Sequence, residues 1–173
     1  MNHLSFKDRF FLFTQRCMPK QAMTELAGRF ANGDFGNTTQ WAINTFIKRY
    51  GVNMQEAQQE DPTAYETFND FFTRALKPTV RPLADSTWVS PVDGTVSQLG
   101  QIAGERVFQA KGHDYSLLAL LGGDADAART YANGDFATLY LSPKDYHRIH
   151  LPCAGTLRRM VYVPGDLYSV NPL

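Results

Sequence analysis

Two prolines four residues apart, Pro78 and Pro82, divide the chain into halves of different character. Proline locks φ and lacks an N–H, so residues 78–87 cannot continue a helix and are expected to form an extended connector. Before it, apolar residues recur at helical spacing. After Trp88 they fall in short runs bounded by glycine or proline, as strands require. The expected architecture is therefore α+β, with N-terminal amphipathic helices leading into a mainly antiparallel β region.

Four helices are expected ahead of the connector. Over Leu4–Met18, Phe6, Phe10, Phe13 and Cys17 lie on one stripe, widened by Phe11 and Leu12, and Pro19 ends the pattern. A second pattern covers about 21–30 and is broken by Asn32-Gly33-Asp34-Phe35-Gly36-Asn37. The third covers about 39–50, with Gly51 as a C-terminal stop and its aromatic face in the core. The fourth is short, over 67–72. Beyond the connector, strands are expected over 94–99, 106–110, 136–141 and 156–163. One further helix is expected over 115–121, opened by Asp114 and closed by Gly122-Gly123.

Composition narrows the function classes. With 173 residues, 43% of them hydrophobic and 20% charged, the chain has enough apolar material for a real core. Seventeen basic residues balance seventeen acidic ones, so net charge does not point to nucleic acid. Cys17 and Cys153 are too few for a disulfide framework, which favours a reducing compartment such as the cytoplasm. Neither an apolar run of membrane-spanning length nor the layout of a cleaved signal is present in the sequence, though a helix lying on a membrane is compatible with it.

The densest chemistry lies in Ser142-Pro143-Lys144-Asp145-Tyr146-His147-Arg148-Ile149-His150-Leu151-Pro152-Cys153, which holds two of the four histidines. Imidazoles titrate near neutrality, so His147 and His150 beside Tyr146 and Asp145 suit acid/base work. A spacing of three shares a face in a helix and opposes faces in a strand, and Pro152 argues against helix. A metal site would need a third ligand, and a hydrogen-bonded structural pair is the plain alternative. Asp93, in Ser90-Pro91-Val92-Asp93-Gly94, sits at a turn before a strand, where it either caps the turn or enters a cleft. An Asp and a His would make two members of a nucleophilic triad, but no serine here lies in Gly-x-Ser-x-Gly. In Lys111-Gly112-His113-Asp114-Tyr115 another His adjoins a carboxylate, and a capped helix start explains it best.

Five motifs combine in order: TFNDFFTRALKPTVRPL, SPVDGTVSQLG, QAKGHDYSLLALL, YLSPKDYHRIHLPCAG and YVPGDLYSVN. Together they resemble bacterial phosphatidylserine decarboxylases over nearly the whole chain. The resemblance implies a proenzyme that cuts itself at a Gly-Ser bond, giving a β chain and a short α chain whose N-terminal serine becomes a covalent pyruvoyl cofactor. It implies that Asp93 and His150 act as triad partners of that serine, with His150 as base, and that His147 serves decarboxylation. The implied partners are phosphatidylserine, the α chain and the membrane surface, at the cytoplasmic face, with room for a homodimer.

On this resemblance, residues 1–77 form a membrane-associating helical region and 88–173 a partial catalytic β region. Phe6, Phe10, Phe11 and Phe13 would enter the headgroup boundary, with Lys7, Arg9 and Arg16 meeting anionic lipid. The family's Leu-Gly-Ser-Thr-like motif does not occur before Leu173, and none of the serines follows a glycine. The β region is therefore expected to be incomplete at the C-terminus and this polypeptide inactive on its own. The alternatives are a non-catalytic lipid-surface binding remnant, and a metal hydrolase using Asp93, His147 and His150.

Overall fold

Helix α1 covers Lys20–Asn32 and helix α2 covers Asn37–Tyr50 in the computed structural model, which describes residues 19–104, 106–109 and 113–163. The helix expected over Leu4–Met18 and Cys17 lie outside the described residues. Between α1 and α2, the Asp34 carboxylate accepts from the Gly36 N–H at 2.8 Å, and the Thr39 hydroxyl accepts from the Phe35 N–H at 3.0 Å. These bonds fix the tight turn that the Asn-Gly-Asp composition announced. At the other end of α2, Gly51 takes φ of +67° and donates to the Ile47 carbonyl. Only glycine enters that left-handed conformation without a Cβ penalty, so the helix stops there.

Two 3-10 turns, Met54–Glu56 and Pro62–Ala64, lead to the short helix α3, Phe68–Phe72. Thr67 caps α3 by accepting from the Asp70 N–H at 3.0 Å. Helices α1 and α2 both lie against α3. Ile43, Val52, Tyr65 and Phe71 are buried together, with Phe46, Ile47, Met54, Phe68 and Phe72 packed around them. Phe46 meets Phe68, Phe71 and Phe72 edge-on, at 5.3, 5.9 and 5.9 Å between ring centroids. That edge-to-face geometry adds to the area term, which alone is worth about 1.5–3 kcal/mol for each fully buried large side chain. Trp41, on the far side of α2, faces solvent.

Residues 78–87 contain a turn and bends but no helix or strand. Beyond them come β1, Thr95–Gln101, β2, Arg106–Gln109, and β3, His113–Ser116. Helix α4, Leu117–Leu120, helix α5, Ala125–Tyr131, and strand β4, Asp135–Tyr140, follow. β1 pairs antiparallel with β4, from Thr95 opposite Tyr140 to Gln101 opposite Asp135, with a bulge between Val96 and Gln98. β2 pairs antiparallel with β3. Just ahead of β1, a Cβ on Gly94 would meet the Tyr140 carbonyl oxygen at 2.6 Å, so only glycine lets the two backbones approach there. Ile102, Leu117 and Ala128 form a second, smaller cluster, with Leu121 and Phe136 against it.

Two expectations are corrected, and one element is added. Residues 113–116 form strand β3, so the helix expected over 115–121 opens at Ser116, whose hydroxyl accepts from the Ala119 N–H, and not at Asp114. Residues 156–163 form no strand: among the described residues no neighbouring strand pairs with them, and Leu157, Met160 and Tyr162 are exposed. Helix α5 was not foreseen; Asp124 caps it by accepting from the N–H groups of Asp126 and Ala127.

Candidate active site

Chain segments from both sides of the connector meet around His147 and His150. The Ser142 N–H donates to the Asp145 carboxylate at 2.6 Å, and the Asp145 N–H returns to the Ser142 carbonyl at 2.9 Å. This closed Ser-Pro-Lys-Asp turn ends β4 and sets the direction of the following residues. They run without helix, as Pro152 required. The His150 N–H donates to the Pro91 carbonyl at 2.8 Å, and the Val89 N–H donates to the Pro152 carbonyl at 2.9 Å. Those two bonds share one antiparallel register, which brings the histidine segment alongside the segment that leads to Asp93.

His147 is half-buried and its ring lies 4.1 Å, centroid to centroid, from that of Phe72 in α3. Its Nδ1 is 2.8 Å from the Asp145 carbonyl oxygen. A carbonyl can only accept, so Nδ1 carries the proton, and in the neutral ring Nε2 holds the lone pair. The tilted contact with the Phe72 ring and this single bond fix the orientation of the imidazole.

His150 is exposed, with Nε2 3.2 Å from the Tyr146 hydroxyl. The two rings stack at 5.6 Å.

Asp93 takes a different partner. Arg81, from the connector, donates from Nε to both Asp93 carboxylate oxygens at 3.0 and 2.8 Å, and from Nη2 at 2.6 Å. The same Nη2 donates to Glu56 at 2.9 Å. Hydrogen bonding to Asp93 raises the Arg81 pKa above the ordinary guanidinium range, opposed by burial and reinforced by the bond to Glu56. Asp93, Arg81, Glu56, Lys144, Asp145 and Tyr146 line one cleft of about 240 Å3. Thus Asp93 and Tyr146, the partner of His150, open onto a common space, while the carboxylate itself is held by Arg81 and not by His150.

Two further contacts lock the site to the helical region. Arg74, 4% exposed, donates from Nη2 to the Lys144 carbonyl at 3.1 Å. Arg148 donates from Nε to the Thr73 carbonyl at 2.7 Å. Sequence reasoning did not single out Arg81, Arg74 or Glu56. The usable signal was a basic residue held between Pro78 and Pro82, where a bent backbone presents it at a fixed angle. Among the described residues, no three His, Cys, Asp or Glu side chains group as metal ligands. Cys153 is a free thiol.

The phosphatidylserine decarboxylase family model matches residues 68–173, more than half of the chain, including His147, His150, Asp93 and Arg81 but not Glu56. The chain belongs to the phosphatidylserine decarboxylase family. A second family model, described as PSD, matches residues 10–51. Relatives named phosphatidylserine decarboxylase proenzyme include that of Delftia acidovorans, 61% identical over 96% of this chain. That of Chromobacterium violaceum is 64% identical over 95%, and that of Shewanella sediminis 56% identical over 96%. The chain spans 58%, 59% and 58% of the lengths of these three relatives.

Proposed function

We propose that this chain supplies the His147, His150 and Asp93 machinery of a self-processing phosphatidylserine decarboxylase, which releases carbon dioxide and leaves phosphatidylethanolamine. The observation that carries the reading is the family match across 68–173, which includes both histidines and the aspartate. A pyruvoyl group formed on a serine outside this sequence would supply the electron sink for loss of the carboxylate. The donor set of the site suits such a group, because decarboxylation leaves a carbanion that must be protonated and this chain holds two imidazoles near one cleft. His147, fixed by Phe72 and the Asp145 carbonyl, would exchange that proton through Nε2. Tyr146 would steady the His150 ring, which would serve as base during processing, and Asp93, once released from Arg81, would bias the ring's tautomer.

In this reading the protein works at a membrane surface on the cytoplasmic side. Support comes from α1, which leaves Met23, Leu26 and Phe30 exposed, with Phe35 stacked on Phe30 at 5.4 Å. No described helix is long and apolar enough to cross a membrane.

The test uses the chain extended by the remaining length of its relatives and phosphatidylserine labelled in the serine carboxyl. Labelled carbon dioxide should be released. His147→Ala should abolish release while leaving processing intact, and His150→Ala should block processing. Full release by the His147→Ala protein would overturn the assignment.

A further inference from the structure

Arg74 is a buried cation with too few partners. Among the described residues it forms no ion pair, and its Nε and Nη1 are buried without an acceptor. Its guanidinium lies 5.6 Å from the centroid of the Phe71 ring, and a ring face offsets only part of what a desolvated cation loses. Burial lowers the Arg74 pKa, opposed in part by the neighbouring Tyr65 phenol and Glu56 carboxylate. A charge in such surroundings calls for an opposite one nearby.

The space for it adjoins the residue. Arg74, Arg148, Tyr65, Thr73, Gln58 and Asp70 line a cleft of about 280 Å3, which His147, His150 and Asp93 do not line, although Arg74 also borders the Asp93 cleft. Arg148 spends Nε on the Thr73 carbonyl and, among the described residues, forms no ion pair, so its terminal nitrogens remain for a ligand. Asp70 is the one carboxylate in the lining, and it is engaged at the start of α3, accepting from the Thr67 hydroxyl at 2.7 Å. Two guanidinium groups against one carboxylate leave the cleft net positive. They are anchored on different carbonyls, those of Lys144 and Thr73. A phosphate-type anion presents several acceptor oxygens to a guanidinium fork and brings the negative charge that the cleft lacks.

We propose that this cleft binds a phosphate-type anion, with the terminal nitrogens of Arg148 donating to its oxygens and the anion serving as the counter-charge of Arg74. Nε and Nη1 of Arg74 are out of reach of water, so Arg74 acts through its charge and Arg148 through direct bonds. The anion is either free phosphate or the phosphodiester of a lipid headgroup, and the site stands whichever reaction the chain takes part in.

The experiment titrates the nitrogen-15 labelled chain with inorganic phosphate and, separately, with glycerophosphoserine, at constant ionic strength. The readout is the Nε–H resonances of Arg74 and Arg148. At least one of the two ligands should give a saturable shift at both residues, and Arg148→Gln should weaken binding about tenfold or more, as expected for the loss of a charge-assisted partner. Arg148 is exposed, so the variant should keep the backbone spectrum of the parent elsewhere. Tighter binding of glycerophosphoserine would identify the headgroup as the source, and tighter binding of phosphate the free anion. Absence of saturation with both ligands, an equal shift with sodium chloride, or binding unchanged in Arg148→Gln would each overturn the proposal.

Discussion

The cluster around Phe71 and the cluster around Leu117 are built by different means. The first draws on α2, the 3-10 turns and α3, all within about thirty residues, and closes on itself with edge-to-face aromatic rings. The second joins Ile102, Leu117 and Ala128 from separated elements and contains no buried aromatic residue. Past it, Leu157 is 74% exposed, Met160 86% and Tyr162 87%. Helices satisfy their own backbone and need only one covered face. Strands need partners supplied from elsewhere, and the two-stranded sheets here leave their outer edges without a further strand among the described residues. The site lies where the well-packed region holds the looser one, through Phe72, Thr73 and Arg74.

The largest effect should come from removing the centre of the stronger cluster. Phe71 is fully buried, and Phe71→Ala should cost about 3–5 kcal/mol in urea unfolding. A small loss would mean that the helical region is not the anchor and would break the contrast. Arg81→Met tests the tie between regions. Its ion pairs are substantially exposed, at 45% for Arg81, 36% for Glu56 and 25% for Asp93, so screening should hold the stability loss to about 1 kcal/mol or less. Hydrogen exchange of β1 and β4 should nevertheless speed up relative to α2, and equal protection in parent and variant would remove the connector as a tie.

The smallest effect concerns acid. Bonds from the Ala127 N–H and then from Arg159 lower the Asp124 pKa from its usual carboxylate value. A folded-state value below the unfolded one adds stability above about pH 4, and that contribution disappears as pH falls through the folded value. Asp124→Asn keeps a capping oxygen but has nothing to titrate, so acid protection of α5 amides should become flatter with pH. An unchanged profile would place the acid sensitivity of this region elsewhere.

Much of this was legible in the residues themselves. The periodicity over 21–30 and 39–50 matches α1 and α2 closely because each has local stop chemistry, Asn32-Gly33 and Gly51. The strands expected over 94–99, 106–110 and 136–141 appear within about a residue or two at each end. The run over 156–163 was misread because an apolar run suited to a strand does not say whether a neighbour exists to pair with it. Helix α5 was overlooked although Asp124 ahead of an alanine-rich segment is a start signal. At the site, His147, His150 and Asp93 stood out as residue types, but their partners did not. Arg81 reaches Asp93 from twelve positions away and Glu56 from twenty-five, and Phe72 meets a ring seventy-five positions on. Such pairings depend on where the connector bends, which local pattern does not encode.

Asp93 already holds a cation, and that changes what recruiting it for other work entails. Any new donor, an imidazolium included, must displace a guanidinium that is also tethered to Glu56. The event is then a metathesis of ion pairs, governed by a difference of two similar terms and not by the full strength of either. An added or withdrawn charge in the cleft acts on both sides of such an exchange and shifts it through the difference alone.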